Sequence, residues 1–312
     1  MKQKTGSSRR IGLAALLAGW MGMGAHAALA HGETLTCPEA KPSLNLFIFG
    51  DSRTPYYPLA KGRILQAAED EKPDVIVHVG DMVQSSHERY WRWFDREEGR
   101  LRRPGVSFLP VFGNHEARTA EPGSPADPFA PYFARFPELR GSAWYEFRCG
   151  PLVVLTLNSE ESLAQGDPQR RWLEERLQAP PLAPGEVRIV LMHRPLMTAR
   201  PTYAHRNAGE LIPLFTQAVE EGRLSLVFSG HTHNYERLPL GGKGWSVVSG
   251  GGGSETHAFA ERLKEDRFIG PEPNFHYLRL KLEAGRAVGE MVRFDLDSEQ
   301  FEVKDRFRVD PP

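Results

Sequence analysis

The fold is decided by the stretch Val75-Ile76-Val77-His78-Val79-Gly80-Asp81, in which a mostly apolar run of strand length ends in a glycine and then a carboxylate. Apolar runs of four to eight residues that stop at a turn residue are typical of strands buried on both faces of a parallel sheet. The same arrangement occurs earlier, where Leu44–Phe49 precedes Gly50-Asp51. Both places predict a buried strand that delivers an aspartate at its carboxyl end.

Apolar runs alternate with amphipathic stretches along the rest of the chain, which is typical of an α/β domain. We predict buried strands at Leu44–Phe49, Val75–Val79, Phe108–Phe112, Leu152–Leu157, Arg188–Met192 and Leu224–Phe228. Helical spacing predicts helices at Leu59–Glu71, Glu88–Glu98, Gln169–Leu177 and Gly209–Glu221. Alternating apolar and polar residues predict antiparallel strands at His276–Leu282, Ala287–Phe294 and Glu302–Val309, which we expect to complete a second sheet. No linker divides the chain, so we expect residues 31–312 to form a single domain.

Five short polar motifs stand at the ends of predicted strands, where α/β sheets bind ligands. In chain order they are Gly50-Asp51-Ser52-Arg53, Gly80-Asp81, Gly113-Asn114-His115-Glu116, Met192-His193-Arg194 and Gly230-His231-Thr232-His233. Each motif alone has an ordinary structural explanation, because Asp caps helices, Asn favours turns and a single His is usually a hydrogen-bonded core residue. Together they indicate one site, and mixed carboxylate, amide and imidazole ligands suit a pair of borderline-hard metal ions.

The first thirty residues have the order of a secretory signal peptide: a basic start, an apolar stretch from Ile11 to about Gly24, and two small-x-small cleavage signals ending at Ala30. A membrane anchor is the alternative, but the apolar stretch is short for a span. The paired arginines Arg9-Arg10 resemble a twin-arginine signal and also occur in ordinary signal peptides, so the export route stays open. We expect an exported protein, periplasmic or secreted, with no membrane attachment after cleavage.

The composition is that of a soluble globular protein, with 40% hydrophobic and 25% charged residues among 312. After removal of residues 1–30, 35 of the 39 basic residues and all 40 acidic ones remain, a net charge of −5. This balance offers no basic surface for nucleic acid. Both cysteines, Cys37 and Cys149, survive cleavage, and in an oxidising compartment such a pair favours one disulfide over two free thiols.

The ordered motifs between Leu44 and Gly253 resemble the calcineurin-like metallophosphoesterase superfamily, most closely its purple-acid-phosphatase-like branch. The resemblance implies a four-layer α/β/β/α sandwich of two mixed sheets and two divalent or trivalent metal ions, with Fe, Mn or Zn as candidates. It also implies the ligands: one ion takes Asp51 and His233, the other takes Asn114, His193 and His231, and Asp81 bridges them. Two such ions can share a hydroxide that attacks phosphorus and can neutralise the charge of the transition state.

Two histidines beside these ligands are candidates for proton transfer. His115 follows Asn114 and is predicted to be the general acid that protonates the leaving oxygen; a structural turn residue is the alternative. His205 lies in a polar loop and could reach over the phosphate as a second donor, as a loop histidine does in the resembled branch.

Two positions depart from the family pattern. Arg53 stands where many superfamily members have a histidine, and Gln84 stands where the purple branch has its tyrosine. Arginine stays protonated and cannot bind a metal, so the first metal loses its usual extra ligand. We expect Arg53 to turn outward and bind a substrate phosphate, or else to sit in a salt bridge at the rim, while Gln84 could lend an amide oxygen to the metal.

The sequence therefore predicts an exported dinuclear phosphoesterase that acts on small phosphate esters, with monoesters favoured. A phosphodiesterase or nucleotidase using the same site is the first alternative. A protein that binds a phosphate ligand without catalysis, its first metal site weakened at Arg53, is the second.

Overall fold

Two mixed β-sheets and five α-helices form the part of the chain that the computed structural model describes, which is residues 32–53, 56–178, 182–259, 261–270, 275–283 and 285–309. In chain order the strands are β1 (Thr34–Thr36), β2 (Ser43–Phe49), β3 (Val75–His78), β4 (Ser107–Pro110), β5 (Tyr145–Cys149), β6 (Leu152–Thr156), β7 (Val187–Leu191), β8 (Leu226–Ser229), β9 (Tyr235–Leu240), β10 (Gly244–Ser249), β11 (Phe275–Glu283), β12 (Arg286–Phe294) and β13 (Phe301–Val309). The helices are α1 (Pro58–Asp70), α2 (Glu88–Glu97), α3 (Phe129–Arg135), α4 (Pro168–Gln178) and α5 (Ala208–Glu220). None of these helices is long and apolar enough to cross a membrane. The predicted signal peptide, residues 1–30, lies outside the described ranges.

The six-stranded sheet has the spatial order β13-β12-β11-β2-β3-β4. Its strands β2, β3 and β4 run parallel, whereas β11, β12 and β13 continue the sheet in antiparallel fashion on the other side of β2. The seven-stranded sheet has the order β1-β5-β6-β7-β8-β10-β9, with β6, β7, β8 and β10 parallel. The predicted C-terminal strands are confirmed, and they complete the sheet that contains the first two aspartate-bearing strands.

Apolar residues on both faces of the parallel strands produce the layers. Along β6, β7 and β8, one set of alternate side chains joins the large core cluster that contains residues of both sheets, and the intervening set packs in a second cluster with α4 and α5. Val154 belongs to the first set and Leu155 to the second. Successive side chains of a strand point to opposite faces, so a strand covered on both sides needs an unbroken apolar run. The predicted fold of two mixed sheets flanked by helices is confirmed.

Some elements were not predicted because their residues hide the pattern. Strand β9 contains Glu236, Arg237 and Pro239, a composition that argues against a strand. It lies at the edge of its sheet, where proline is tolerated, and Arg237 is paired with Asp305 of β13 at 2.6 Å. Burial of the Arg237 charge therefore depends on a partner 68 residues away.

A disulfide joins Cys37 to Cys149, as the sequence predicts. Strand β1 pairs in parallel with β5, which brings the start of the described chain alongside Cys149. The bond closes a loop with a sequence separation of 112 residues and holds β1 at the edge of the seven-stranded sheet.

Candidate metal centre

The predicted ligands converge because they follow parallel strands of the two sheets. Asp51, Asp81 and Asn114 follow β2, β3 and β4, while His193 and His231 follow β7 and β8. Carboxyl ends of parallel strands in one sheet meet at one edge, and the two edges face each other here. Asn114 is half-buried. The other five candidate ligands are at least nine-tenths buried: Asp51, Asp81, His193, His231 and His233.

The side chains fall into two groups that share one carboxylate. Asp51, Asp81 and His233 each offer a ligand atom within 4.8 Å of the others, and so do Asp81, His193 and His231. The amide oxygen of Asn114 lies 3.0 Å from His193 Nε2, which adds it to the second group. The structure thus brings together all six residues in the two sets that the resemblance implies, with Asp81 common to both.

Four of the six candidate ligands have left-handed backbone conformations. The φ angles are 56° at Asp51, 57° at Asp81, 72° at His231 and 52° at His233. Seven non-glycine residues in the described ranges have positive φ, so more than half of them are at this site. The conformation costs on the order of 1–3 kcal/mol per residue and persists only where the surroundings impose it, which is common at functional sites.

Glycines next to these ligands permit the close approach of the loops. A β-carbon added at Gly230 would lie 2.4 Å from Asp51 Oδ2, and one at Gly80 would lie 2.5 Å from His193 Nδ1. Gly80 also has a φ of 96°, which side chains rarely tolerate. The glycine before the ligand in these motifs is therefore a requirement of the site.

Hydrogen bonds to the main chain orient two of the histidines. His193 Nδ1 donates to Val79 O at 2.8 Å, so Nε2 faces Asp81 Oδ1 at 3.2 Å. His233 Nδ1 donates to Glu255 O at 2.6 Å, so Nε2 faces Asp51 Oδ1 at 3.4 Å. A histidine whose Nδ1 is held in this way presents the Nε2 lone pair to a metal in a fixed tautomer.

The electrostatics of the site favour positive charge beside Asp81. Burial disfavours the charged ring of His193, yet the Asp81 carboxylate outweighs burial and raises the pKa of His193 to about 10. Burial, together with the neighbouring His193 and Arg194, lowers the pKa of His231 to about 2, so this ring is neutral. A metal ion supplies the positive charge that Asp81 favours and binds neutral imidazole. The donors fit a pair of borderline metal ions, and no thiolate or lysine competes among them.

Glu116 supports this centre, although the sequence analysis assigned it no role. Its carboxylate accepts hydrogen bonds from the N–H groups of Asp81, Val83 and Gly113 at 2.9, 3.1 and 2.8 Å. Burial raises the pKa of Glu116, while the N–H donors favour its charged form. One buried side chain therefore joins the loops after β3 and β4. Its place in the same motif as Asn114 is the signal that could have indicated this role.

His115 lies beside Asp81 with one ring nitrogen engaged. Nδ1 donates to Gln84 O at 2.7 Å, and Nε2 lies 3.8 Å from Asp81 Oδ2. Because Nδ1 carries a proton, its 3.3 Å approach to Arg53 Nη1 is a contact between two donors. Burial, reinforced by Arg53, lowers the pKa of His115 to about 4. Nε2 is the ring atom left to exchange a proton with a ligand.

Arg53 does not turn outward, and of the two expected placements the structure shows the salt bridge; a contact of Arg53 with a substrate phosphate stays a prediction. The side chain is 7% exposed, and Nη2 lies 3.1 Å from Glu255 Oε1 and 3.3 Å from His233 Nε2. Nη1 donates to Gln84 Oε1 at 3.1 Å, so the amide oxygen of Gln84 faces the guanidinium. The acid that draws Arg53 inward is Glu255, 202 residues away in the chain.

His205 is buried, whereas its loop appears polar in the sequence. Nδ1 accepts a hydrogen bond from Asn207 N at 3.0 Å, and Nε2 approaches Glu161 O at 3.4 Å. Burial lowers the pKa of His205 to about 4. The ring thus ties its loop to the loop after β6, and its predicted role as a second donor stays a prediction.

Glu160 is a further residue of the site that the sequence did not indicate, and it pairs with Arg194 of the motif Met192-His193-Arg194. Arg194 Nε and Nη2 contact the two carboxylate oxygens of Glu160 at 2.8 and 2.9 Å. Nη1 of the same guanidinium lies 3.0 Å from His231 Nε2. Arg194 directly follows the ligand candidate His193, and its place in the same short motif is the sequence signal of its location.

A buried chain of hydrogen bonds lies behind the ligand loops. Gly80 N donates to His78 Nδ1 at 3.3 Å, and His78 Nε2 donates to Ser52 Oγ at 2.8 Å. Ser52 in turn donates to Glu98 Oε1 at 2.7 Å, and Lys61 Nζ lies 2.8 Å from that same oxygen. His78 is fully buried in the strand predicted at Val75–Val79, and its ring links the loop of Asp51 to the loop of Asp81.

The sequence and the fold are those of a known class. A model of the calcineurin-like phosphoesterase family matches residues 54–235, more than half of the 312 residues, and the chain therefore belongs to that family. Within it, the chain is 28% identical to purple acid phosphatase 1 of Ipomoea batatas over 182 residues, covering 53% of this chain and 37% of that protein. It is 30% identical to phosphoenolpyruvate phosphatase of Allium cepa over 219 residues, covering 65% of this chain and 44% of that protein.

A solved structure extends the likeness to the fold. Purple acid phosphatase PPD1 from yellow lupin (Lupinus luteus) superposes with a TM-score of 0.66 at 20% identity, covering 87% of this chain and 54% of that one. The predicted resemblance to the purple-acid-phosphatase-like branch is confirmed. The chain spans less than half the length of the two sequence relatives and about half of the lupin protein.

Proposed function

We propose that this chain is an exported, metal-dependent phosphatase that hydrolyses small phosphate monoesters. The observation that carries the proposal is the pair of ligand groups joined by Asp81, because two groups that share a carboxylate suit two neighbouring ions. Two such ions, with Fe, Mn or Zn as candidates, supply Lewis-acid charge and activate water when bound. We assign Asp51, Asp81 and His233 to the first ion.

The second ion takes Asp81, Asn114, His193 and His231 in this proposal. Main-chain hydrogen bonds to His193 and the three N–H bonds accepted by Glu116 support it, since a site on fixed side chains loses little freedom on binding. His233 is held in the same manner for the first ion. The backbone strain at four ligands is further support.

His115 is proposed as the proton donor to the leaving oxygen. Nδ1 is held by Gln84 O, so the proton transferred is the one on Nε2, next to Asp81. A pKa of about 4 leaves the ring neutral at pH 7, and protonation is favoured in acid or beside a phosphate dianion. The assignment therefore suits an acid phosphatase.

Monoesters are favoured over diesters by the character of the relatives, one of which is a phosphoenolpyruvate phosphatase. A single observation favours the rival, a protein that binds phosphate ligands without catalysis: Arg53 Nη2 lies 3.3 Å from His233 Nε2, at the first ligand group. The proposal also includes export, which the signal-like order of residues 1–30 supports. It further includes a single domain over residues 31–312. Periplasmic fractionation with and without residues 1–30 tests the export.

The direct test uses the exported protein with p-nitrophenyl phosphate and bis(p-nitrophenyl) phosphate as substrates. Chelation should abolish turnover of the monoester, and re-addition of Fe, Mn or Zn should restore it at two metal ions per chain. The monoester should be the better substrate by kcat/KM. Metal binding without turnover of either ester would support the rival, and a preference for the diester would move the protein to the phosphodiesterases.

A further inference from the structure

Two arginines stand in matching positions at the two ligand groups. Arg53 Nη2 lies 3.3 Å from His233 Nε2, and Arg194 Nη1 lies 3.0 Å from His231 Nε2. Each therefore approaches the ring nitrogen assigned to one of the two ions. The two residues come from different sheets, since Arg53 follows β2 and Arg194 follows β7.

Each guanidinium is held from behind by a glutamate of another loop. Glu255, which follows β10, contacts Arg53 at 3.1 Å, and Glu160, which follows β6, contacts Arg194 through both oxygens at 2.8 and 2.9 Å. The side chains of Arg53 and Arg194 are 7% and 28% exposed. A partly buried ion pair of this kind restricts the arginine to few conformations, so its other N–H groups keep facing the ligand group.

A guanidinium beside a bound metal ion is a place for an anion. Arginine stays charged and offers no lone pair, so it cannot share the ring nitrogen with an ion and is repelled by one. An oxyanion between the guanidinium and the ion attracts both of them. Guanidinium also forms paired hydrogen bonds with phosphate oxygens, which lysine does not match.

We propose that Arg53 and Arg194 bind the phosphate of the substrate from two sides, held in place by Glu255 and Glu160, and that they select dianionic phosphate monoesters. The proposal rests on the function proposed above and deepens it. A monoester has three terminal oxygens and two negative charges, enough for two ions and two guanidinium groups. A diester has one negative charge and only two terminal oxygens, because its second organic group is bonded to an oxygen that the arginines would otherwise bind.

The test measures phosphate binding apart from catalysis. Arg53→Gln and Arg194→Gln, each loaded with metal, are titrated with inorganic phosphate by calorimetry, and bound metal is counted in the same samples. Each variant should keep its metal and bind phosphate about 10- to 100-fold more weakly, the loss expected for charge-assisted hydrogen bonds. Arg206→Gln, an exposed arginine of a neighbouring loop, is the matched control for loss of one charge and should change the affinity by less than about 2-fold.

Kinetics with the two nitrophenyl esters provide the second measurement. Both arginine variants should lower kcat/KM for the monoester more than for the diester, and Glu160→Gln should raise KM for the monoester in the same direction as Arg194→Gln. Unchanged phosphate affinity in both arginine variants, with wild-type turnover intact, would refute phosphate binding by Arg53 and Arg194 but not the proposed phosphatase activity. If the wild type binds phosphate tightly through the arginines but hydrolyses neither ester, phosphate binding by Arg53 and Arg194 is supported and the proposed phosphatase activity is refuted.

Discussion

Glu98 is expected to be among the most sensitive positions outside the ligand set. It is fully buried and accepts hydrogen bonds or ion contacts from Ser52 and Lys61, at 2.7 and 2.8 Å. Burial alone would lower the pKa of Lys61, but Glu98 and Glu97 outweigh it and raise the pKa above its usual value. The lysine is thus held charged inside the protein by two carboxylates, one buried and one 37% exposed.

This pair of acids offers a matched comparison. Glu98→Gln and Glu97→Gln remove the same charge from the same lysine, and both carboxylates lie 2.8 Å from Lys61 Nζ. Loss of the buried partner leaves the buried Lys61 with only the half-exposed Glu97 as its counter-ion and should lower the free energy of unfolding by up to about 3–5 kcal/mol. Loss of the half-exposed partner should cost no more than about 1 kcal/mol, because water screens it.

Urea unfolding of both variants checks the difference. Glu98→Gln should lower the midpoint by about 1 M or more, and Glu97→Gln by much less, with similar slopes. Adding Lys61→Met to Glu98→Gln should recover part of the loss, since the buried lysine charge that has lost its buried partner is then gone. Equal midpoints for the two single variants, or a further loss in the double variant, would refute the assignment of a buried ion pair behind the site.

Four further outcomes are expected. Burial lowers the pKa of His78 to about 3, so the unfolded chain binds the extra proton, and stability should fall as pH drops from about 6.5 toward 3; His78→Gln should flatten that slope by up to about 1.4 kcal/mol per pH unit, and an unchanged slope in acid unfolding would exclude a buried neutral ring. Asp81→Asn should release at least one metal and lower kcat/KM by several orders of magnitude, and a variant with two metals and normal turnover would rule out a shared carboxylate. His115→Ala should lower kcat by on the order of 10²–10⁴ for alkyl phosphates and much less for p-nitrophenyl phosphate, whose leaving group needs no proton; equal losses would make His115 a positioning residue. Replacing Cys37 and Cys149 by Ala should lower stability by about 4–5 kcal/mol or less in the chain-entropy picture, measured by thermal unfolding, and wild-type protein with titratable thiols would contradict the disulfide.

Sequence reasoning located the strands well where burial is two-sided. The apolar runs at β2 and β3 have strand length and end in turn residues, so they leave little choice of structure. It failed at β9, where Glu236 and Arg237 are charged, because their burial depends on partners elsewhere in the chain, such as Asp305. A local sequence pattern does not show that a charged side chain is neutralised by a partner that only the tertiary structure brings close.

The site residues are also of two kinds: those that the sequence pattern indicates and those that only tertiary contacts bring to the site. The set of candidate ligands was available from the sequence because metal coordination demands particular residue types, and strands of parallel sheets bring their carboxyl ends to one edge. The glycines at positions 80 and 230 also follow from this set of ligands, since a β-carbon at Gly80 or Gly230 would lie 2.5 or 2.4 Å from an atom of a candidate ligand.

Only the tertiary structure decided what surrounds those ligands. Arg53 was expected to turn outward and lies inside, because Glu255, 202 residues away, offers a carboxylate at the site. Glu98 reaches Ser52 across 46 residues, and Arg194 reaches Glu160 across 34. A charged side chain goes where its charge is compensated, and the position of the compensating group is set by the packing of the sheets rather than by its neighbours in sequence.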